Sequence, residues 1–254
     1  SCDNWSHAYC VGVKSDKDEF TCAHCLAEEA GKKIRGVSKT TLIVVPSTIL
    51  QQWRDEVLTH VKPKDETKNQ FEIMIYEGQP QTASMGSKAV GMNEVITAKR
   101  LAECDIVITT YDVLRKEIDR DFATNTEVND GATRARRNNT RRYPMIPPPL
   151  TKICWWRVIM DEAQMVGGGM SAPSKMMERI PAVNRWCVTG TPLQGGKKID
   201  DAYGLFKFLR APPFANDVND NGFWWPKIIT ASMKNGNAKL SELVLKESLR
   251  NIMW

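Results

Sequence analysis

Short apolar runs alternate with segments of helical periodicity along this chain. Each run lies between polar segments and has the length of a buried strand; the runs occupy residues 41–45, 71–76, 105–111, 155–160 and 185–189. Apolar residues recur at helical spacing in residues 49–61, 113–118, 172–180, 199–209 and 238–253. Buried strands that alternate with helices predict an α/β fold, in which helices cover both faces of a parallel sheet.

The same pattern divides the chain into segments. Residues 1–30 concentrate cysteines, and residues 31–40 form a polar linker that contains glycine. Residues 41–212 hold the predicted sheet, and residues 213–254 form a helical tail. Within the sheet-forming segment, residues 119–149 are rich in charge, asparagine and proline, which predicts a long insertion.

Composition places the chain among ordinary soluble globular proteins, with 42% hydrophobic and 26% charged residues. The formal net charge of +5 permits a nucleic-acid partner without arguing for one. No apolar stretch is long enough to span a bilayer, so we expect no membrane partner. The chain begins at Ser1 without a signal peptide, and we expect it to be an excerpt of a longer protein.

Two clusters leave alternatives open. Arginines concentrate in the predicted insertion, where they either grip DNA or belong to a solvated segment; they are Arg134, Arg136, Arg137, Arg141 and Arg142. The aromatic run at 223–225 forms either a docking surface or a local hydrophobic cluster. Trp155 and Trp156 adjoin a core strand, where packing is the expected role.

Four cysteines and one histidine crowd the first 25 residues, at spacings that suit a metal. The candidate ligands are Cys2, His7, Cys10, Cys22 and Cys25. Short spacings let two ligands from one turn bind the same ion, and such sets suit tetrahedral zinc. Two closed zinc sites need eight ligands, so we expect three further cysteines upstream of Ser1. The alternative is a set of free thiols in an unstructured tail.

The remaining cysteines, Cys104, Cys154 and Cys187, lie beside apolar strands and are expected to be small core side chains. The odd total of seven argues against a disulfide framework and for a reducing compartment.

An apolar strand that ends in two acids is the main candidate for chemistry. Residues 158–160 lead directly into Asp161 and Glu162. The carboxyl end of a strand is where an α/β sheet opens to ligands. There Asp161 can hold Mg²⁺ through water, and Glu162 can polarise an attacking water. The alternative is a surface turn that happens to carry two acids.

Several segments occur in the order found in SNF2-type motor proteins; they are residues 42–47 with 52–53, 105–114, 161–164, 188–194 and 205–209. They resemble motifs Ia, Ib, II and III of that superfamily over residues 40–212. The resemblance implies a RecA-like lobe that uses ATP and Mg²⁺ and moves on double-stranded DNA. It makes Asp161 the Mg²⁺-associated acid and Glu162 the acid that activates water.

The resemblance also assigns roles to neighbouring residues. Gln164 stands where many relatives carry histidine, and we do not interpret it as inactivating. Thr189, Gly190 and Thr191 would couple the nucleotide state to the grip on DNA. The family contacts DNA phosphates at the positions of Pro46, Ser47, Thr109 and Thr110, where backbone N–H groups and small hydroxyls supply sequence-independent contacts.

The first segment resembles the second half of a PHD finger. That resemblance places Cys2, Cys22 and Cys25 on one zinc ion, and His7 and Cys10 on another. Trp5 either lines a cage for a histone tail or packs beside zinc. A finger before motif Ia resembles a subgroup of nuclear ubiquitin ligases that act on chromatin, which implies ubiquitin-conjugating partners reached through regions outside this chain.

Two features of a complete motor do not occur in the 254 residues. No Gly-x-x-x-x-Gly-Lys-Ser/Thr phosphate loop is present, although residues 36–40 resemble its end. We expect the phosphate loop upstream of the zinc-binding segment. The second lobe, with its arginine finger, should also lie outside this chain. The isolated chain should therefore hydrolyse little ATP. One alternative is a non-catalytic module that binds DNA or histone. Another is a scaffold for ubiquitin-conjugating partners that needs no nucleotide.

Overall fold

The computed structural model describes residues 23–61, 71–79, 95–125, 145–191, 201–214, 224–234, 238–250 and 252. The chain divides into two compact units. The first comprises Ser1–Val158 and Ile180–Asn184, and the second comprises Ile159–Arg179 and Arg185–Trp254. The acids at the end of the fourth predicted strand therefore belong to the second unit.

The described residues form a five-stranded parallel sheet, as the apolar runs predicted. Its strands are β1 (Thr41–Val45), β2 (Ile73–Ile75), β3 (Ile106–Thr110), β4 (Trp155–Asp161) and β5 (Ala182–Val188). Their order is β2-β3-β1-β4-β5, and β1 pairs with β3 in the register Thr41↔Ile106 to Val45↔Thr110. Strand β5 begins at Ala182, earlier than the predicted residue 185. The polar Asn184 interrupts the apolar pattern, so the sequence indicated a later start. The Asn184 side chain donates to the Trp156 carbonyl at 2.9 Å.

Eight α-helices accompany the strands in the described part of the chain. They are α1 (Ala23–Gly31), α2 (Leu50–His60), α3 (Ala98–Ala102), α4 (Tyr111–Asn125), α5 (Ala172–Arg179), α6 (Asp201–Leu209), α7 (Ala231–Lys234) and α8 (Ala238–Arg250). Single 3₁₀ turns occupy Ser47–Ile49, Pro149–Lys152 and Ala163–Val166, and a π-helical segment spans Trp224–Thr230. None of the described helices combines the length and the apolar character that a membrane span requires.

The ends of the predicted insertion belong to the fold. Helix α4 continues to Asn125, beyond residue 119, where the insertion was expected to begin. The helix extends this far because it buries Ile118 and Asp121. Thr151 donates a hydrogen bond of 2.8 Å to the Asp121 carboxylate, which accounts for an acid in a buried position. Residues 146–150 are also buried. The arginines at 134–142 lie outside the described residues.

The predicted linker is partly folded as well. Val37 forms a parallel bridge with Cys154. The Thr40 hydroxyl is fully buried and donates to the Cys104 carbonyl at 2.7 Å, and the Ser38 hydroxyl lies 2.8 Å from it. Residues 36–40 therefore resemble the end of a phosphate loop in sequence only, since their hydroxyls bond within the protein.

The second unit has its own aromatic core. Phe206, Phe214 and Trp225 lie with ring centroids 4.9–5.9 Å apart, and Ile229 and Leu245 complete the cluster. Of the aromatic run, Trp225 is only 3% exposed and belongs to this cluster, whereas Trp224 is 37% exposed and Phe223 lies outside the described residues. In the first unit Trp155 is fully buried, and its indole N–H donates to the Leu150 carbonyl at 3.0 Å. Trp156, in contrast, is 45% exposed.

Candidate functional site

Strand β4 places the two acids at its carboxyl end. Asp161 is the last residue of the strand, and Glu162 follows with φ 50° and ψ 48°. This left-handed conformation is unusual for a residue with a side chain and recurs at functional sites. The Glu162 backbone N–H donates to Asp161 Oδ1 at 2.9 Å, and the Met165 N–H donates to the Glu162 carbonyl at 3.0 Å. The chain thus turns sharply and leaves the Glu162 side chain exposed.

A continuous series of hydrogen bonds joins Glu162 to the segment after β5. Gln164 Nε2 donates to Glu162 Oε2, and Thr189 Oγ1 donates to Gln164 Oε1 at 2.6 Å. The Thr191 backbone N–H donates to Thr189 Oγ1 at 3.1 Å. Because the Gln164 amide oxygen can only accept, the Thr189 hydroxyl proton points to it. Each group therefore has one consistent role, and we call this series the relay.

The relay holds one carboxylate oxygen of Glu162 in place while the side chain stays accessible to solvent. A carboxylate in this position can accept a proton from a water molecule or orient it. Asp161 lies half-buried beside it and supplies oxygen ligands of the kind that Mg²⁺ prefers. The two carboxylates are therefore of the chemical kind that can hold Mg²⁺ through water molecules.

The structure brings most of the predicted nucleotide-binding residues together. Asp161, Glu162, Gln164, Thr189 and Thr191 are linked by the hydrogen bonds just described. Gly190 lies between the two threonines and is exposed; a Cβ atom built there would meet none of the described atoms within 4 Å.

The predicted DNA-contacting residues lie at the carboxyl ends of two strands of the first unit: Thr109 and Thr110 are the last residues of β3, and Pro46 and Ser47 follow β1. Pro46 precedes the 3₁₀ turn that begins at Ser47, and Ser47 is exposed. Thr109 is fully buried, and its hydroxyl donates to the Tyr76 carbonyl at 2.8 Å. The Thr110 hydroxyl accepts the N–H of Val113 at 3.3 Å, which caps the first turn of α4. Both threonine hydroxyls thus have partners within the protein, whereas Ser47 faces solvent.

Most of the predicted zinc ligands, namely Cys2, His7, Cys10 and Cys22, lie outside the described residues. Cys25 is half-buried in α1. Among the residues that the structure describes, no group of three His, Cys, Asp or Glu side chains is placed to hold a metal ion. Burial raises the pKa of the Cys104 thiol and raises that of Cys187 to about 12, so both stay protonated near neutral pH.

Sequence reasoning missed a buried acid in the first unit. Glu117 is 1% exposed, and its Oε1 accepts the Tyr76 hydroxyl and the Gln79 N–H, the latter at 2.9 Å. Arg120 donates to the Gln79 carbonyl at 2.8 Å. Burial raises the pKa of Glu117. Tyr76 and Glu117 lie 41 positions apart, so no local sequence signal marks the pair.

The chain is similar in sequence to a known domain family and to several named proteins. The model of the SNF2-related domain matches residues 21–254. The E3 ubiquitin-protein ligase SHPRH of Mus musculus is 34% identical over 231 residues, which cover 90% of this chain and 12% of that protein. The DNA repair protein RAD5B of Arabidopsis thaliana is 30% identical over 213 residues, which cover 84% of this chain and 13% of that protein.

A solved structure, the Sulfolobus solfataricus SWI2/SNF2 ATPase core in complex with dsDNA, aligns with 84% of this chain and 33% of its own. The identity is 18% and the TM-score 0.49, so the family assignment depends on the sequence matches alone. The chain spans only 12 to 13% of the length of the curated relatives named above.

Proposed function

Because the chain belongs to the SNF2-related domain family, we propose that its second unit carries one wall of an ATP-hydrolysing site in a motor that acts on duplex DNA. The observation that carries the proposal is the relay, which connects an exposed glutamate to the segment after β5. A surface turn that carried two acids by chance would not need an amide and a hydroxyl to hold one of them.

In this proposal Glu162 orients the attacking water and takes up its proton. Gln164 fixes the carboxylate by donating to Oε2, which leaves Oε1 as the atom that receives the proton. Thr189 fixes the orientation of the Gln164 amide, because it occupies the amide oxygen and so directs the NH₂ group to Glu162. The chain thereby orders the base before the nucleotide arrives, which lowers the cost of reaching the reactive geometry.

Asp161 would hold Mg²⁺, which neutralises charge on the phosphates when the nucleotide is bound. Its Oδ1 accepts the Glu162 N–H, so the orientations of the two neighbouring acids are coupled. Thr189, Gly190 and Thr191 would respond to the nucleotide through the relay. Movement of the Thr191 backbone would reach Glu162 through only two side chains.

Substitution of Glu162 by Gln in the full-length protein tests this assignment. We expect DNA-stimulated ATP turnover to fall by about 10³-fold, within the range that a positioned general base contributes. Asp161→Asn should weaken Mg²⁺ binding and so raise the Mg²⁺ concentration that the same reaction needs. Survival of DNA-stimulated turnover in Glu162→Gln would refute the role given to this acid. The isolated 254-residue chain should turn over far less ATP than the full-length protein.

Duplex DNA would bind beside the exposed turn that starts at Ser47. A phosphate can accept hydrogen bonds from backbone N–H groups and from the Ser47 hydroxyl without regard to sequence. Ser47→Asp places a negative charge there and should weaken DNA binding by about 10-fold at low salt. Thr59→Asp, at the exposed last turn of α2, is the matched control for the change in net charge. Equal losses in both variants would mean that the contact is not local.

Residues 1–25 would bind zinc in a PHD-type finger that continues outside this chain. The donor set supports this, since cysteine and histidine are the ligands that zinc prefers. Cys25→Ser in the full-length protein should lower the zinc content by one ion per molecule, measured by elemental analysis. Unchanged zinc content would contradict the assignment of Cys25.

The full-length protein would act in the nucleus, on chromatin, with ubiquitin-conjugating partners bound elsewhere. Support comes from similarity to proteins named as a ubiquitin ligase and a DNA repair protein. The competing function is a module that binds DNA or a histone tail without catalysis. A full-length protein that binds DNA but hydrolyses no ATP would favour that module.

A further inference from the structure

Helix α6 contacts the turn that carries Gln164 through a glycine. A Cβ atom built on Gly204 would lie 2.2 Å from the Val166 carbonyl oxygen and 2.8 Å from the Gly169 nitrogen. Both are backbone atoms, so neither can swing aside as the end of a flexible side chain can. Helix and turn therefore meet backbone to backbone, and a side chain at position 204 would have no room.

A second glycine meets the helix from the side of the turn. Gly169 has φ +67°, and a Cβ atom built there would lie 3.4 Å from Gly204 Cα and from the Tyr203 ring. The Gly169 N–H donates to the Val166 carbonyl at 3.3 Å. That one carbonyl thus closes the turn and faces the helix, two residues after Gln164.

Helix α6 is the better-anchored partner of this contact. Lys207 on α6 forms an ion pair of 2.9 Å with Glu178 on α5, and their side chains are only 13% and 17% exposed. Phe206 is buried in the aromatic core, and Tyr203 stacks on Trp225 with centroids 5.0 Å apart. The turn buries Ala163 and Val166 and presents Met165 to solvent at 48% exposure, and it has no ion pair or ring contact of this kind among the described contacts. An added side chain at 204 would therefore displace the turn.

We propose that Gly204 is a positioning residue for ATP hydrolysis, since its lack of a side chain seats the Ala163–Val166 turn so that Gln164 holds Glu162. The inference rests on the proposed function of Glu162. Gly204 touches no reacting atom, and its effect reaches the carboxylate through Val166 and Gln164. Displacement of the turn should be felt in the transition state, where the orientation of the base matters most.

Gly204→Ala in the full-length protein tests the proposal. DNA-stimulated kcat should fall by about 10-fold or more, since displacements near 1 Å can cost that much. The KM for ATP should change less than about 3-fold, because the base acts on the chemical step. The matched control is Gly31→Ala at the end of α1. There a Cβ atom would lie 3.6 Å from a Pro147 side-chain carbon, an ordinary contact, so turnover should be unchanged.

A double variant separates positioning from loss of stability. In the Gln164→Ala background, Gly204→Ala should lower kcat less than about 3-fold, because the hold on Glu162 is already lost. A general loss of folded protein would instead reduce activity by the same factor in both backgrounds. Should Gly204→Ala fail to fold, Gly169→Ala disturbs the same contact from the side of the turn: its Cβ contacts are milder at 3.4 Å, and its positive φ adds backbone strain within the turn itself.

Two results would overturn the proposal. One is a wild-type kcat in folded Gly204→Ala, or in folded Gly169→Ala where the first variant does not fold. The other is a multiplicative loss in the double variant. A wild-type protein without DNA-stimulated ATPase activity would instead remove the proposed function itself, so the two failures are distinguishable.

Discussion

Each unit of this protein holds a glutamate by hydrogen bonds, and the two are held in opposite ways. Glu117 in the first unit is 1% exposed, and one of its oxygens accepts both the Tyr76 hydroxyl and the Gln79 N–H. Glu162 in the second unit is exposed at the end of β4, and a single amide holds one of its oxygens. One acid faces inward and joins distant segments, whereas the other faces solvent.

The difference separates structural use of an acid from chemical use. The buried network joins β2, Gln79 and α4, and the Gln79 amide extends it by pairing with the backbone of Ile96. Glu117 Oε2 is also buried and finds no hydrogen-bond partner among the described residues. Such an acid cannot meet a substrate without local unfolding. A raised carboxyl pKa in this chain therefore marks a position in the core, so perturbed titration alone would have selected the wrong glutamate.

The largest effect on stability should come from removing the buried acid. Glu117→Ala leaves the Tyr76 hydroxyl and the Gln79 N–H without their acceptor, and each buried unpaired group costs roughly 1–3 kcal/mol. We expect the free energy of unfolding to fall by about 3 kcal/mol in urea titration. Asp119→Ala, at an exposed position of the same helix, should change it by less than about 0.5 kcal/mol. Equal losses of unfolding free energy in Glu117→Ala and Asp119→Ala would contradict a structural role for the buried acid.

The relay should give a smaller effect, on rate alone. Gln164→Ala frees the Glu162 carboxylate, and DNA-stimulated kcat should fall by about 10-fold, which corresponds to about 1.4 kcal/mol. Stability should be little affected, because Gln164 is only half-buried. Met165→Ala, in the same turn, is the control and should retain wild-type turnover. A Gln164→Ala variant with normal kcat would show that the amide is not needed.

Thr189 should contribute less than Gln164, since it acts one step further from the acid. Thr189→Val removes the hydroxyl that donates to Gln164 at 2.6 Å. The loss of one hydrogen bond, about 1 kcal/mol, corresponds to an approximately 5-fold lower kcat. Thr189→Ser keeps the hydroxyl and should restore turnover to within about 2-fold. Failure of serine to rescue would place the role of Thr189 in its methyl group.

The smallest effect concerns pH. Burial raises the pKa of Glu117 above the ordinary value of 4.5, despite the hydrogen bonds from Tyr76 and Gln79 and the charge of Arg120. The folded state thus binds this proton more tightly than the unfolded state, so stability from Glu117 is full below pH 4.5 and is lost as pH rises through the folded pKa. Urea titrations at several pH values should show this decline in the wild type and a flatter dependence in Glu117→Gln. An identical dependence would contradict it.

The sequence was sufficient to predict the strands and the acids, because both follow local rules. Apolar runs of strand length predict the strands, and the same pattern places Asp161 and Glu162 at the end of β4, where the structure has them. The first unit was harder, since its hydrogen bonds join residues far apart. Nothing near Glu117 signals that Tyr76 lies against it. The predicted insertion, residues 119–149, is wider than the structure shows for the same reason: the charge of Asp121 suggests an exposed residue, and only its distant partner Thr151 accounts for its burial.

The role of Gly204 also could not be predicted from the sequence, because it depends on a contact with a distant segment. A glycine within a helical pattern is ordinarily a small loss of stability. Its meaning appears only when the Val166 carbonyl is found where a Cβ atom would lie. The hydrogen bond from Thr189 to Gln164 was not predicted either, although the family resemblance assigned both residues to the nucleotide site.

The most direct test of the central claim, that the exposed and not the buried glutamate performs the chemistry, is single-turnover ATP hydrolysis by full-length Glu162→Gln and Glu117→Gln with DNA present. Both changes replace a carboxylate by an amide of the same shape. We predict a loss of about 10³-fold in the rate of Glu162→Gln at unchanged stability, and a rate within about 3-fold of wild type for folded Glu117→Gln. A Glu162→Gln variant that keeps more than about a tenth of the wild-type rate, or an equal loss in the two variants, would contradict the account.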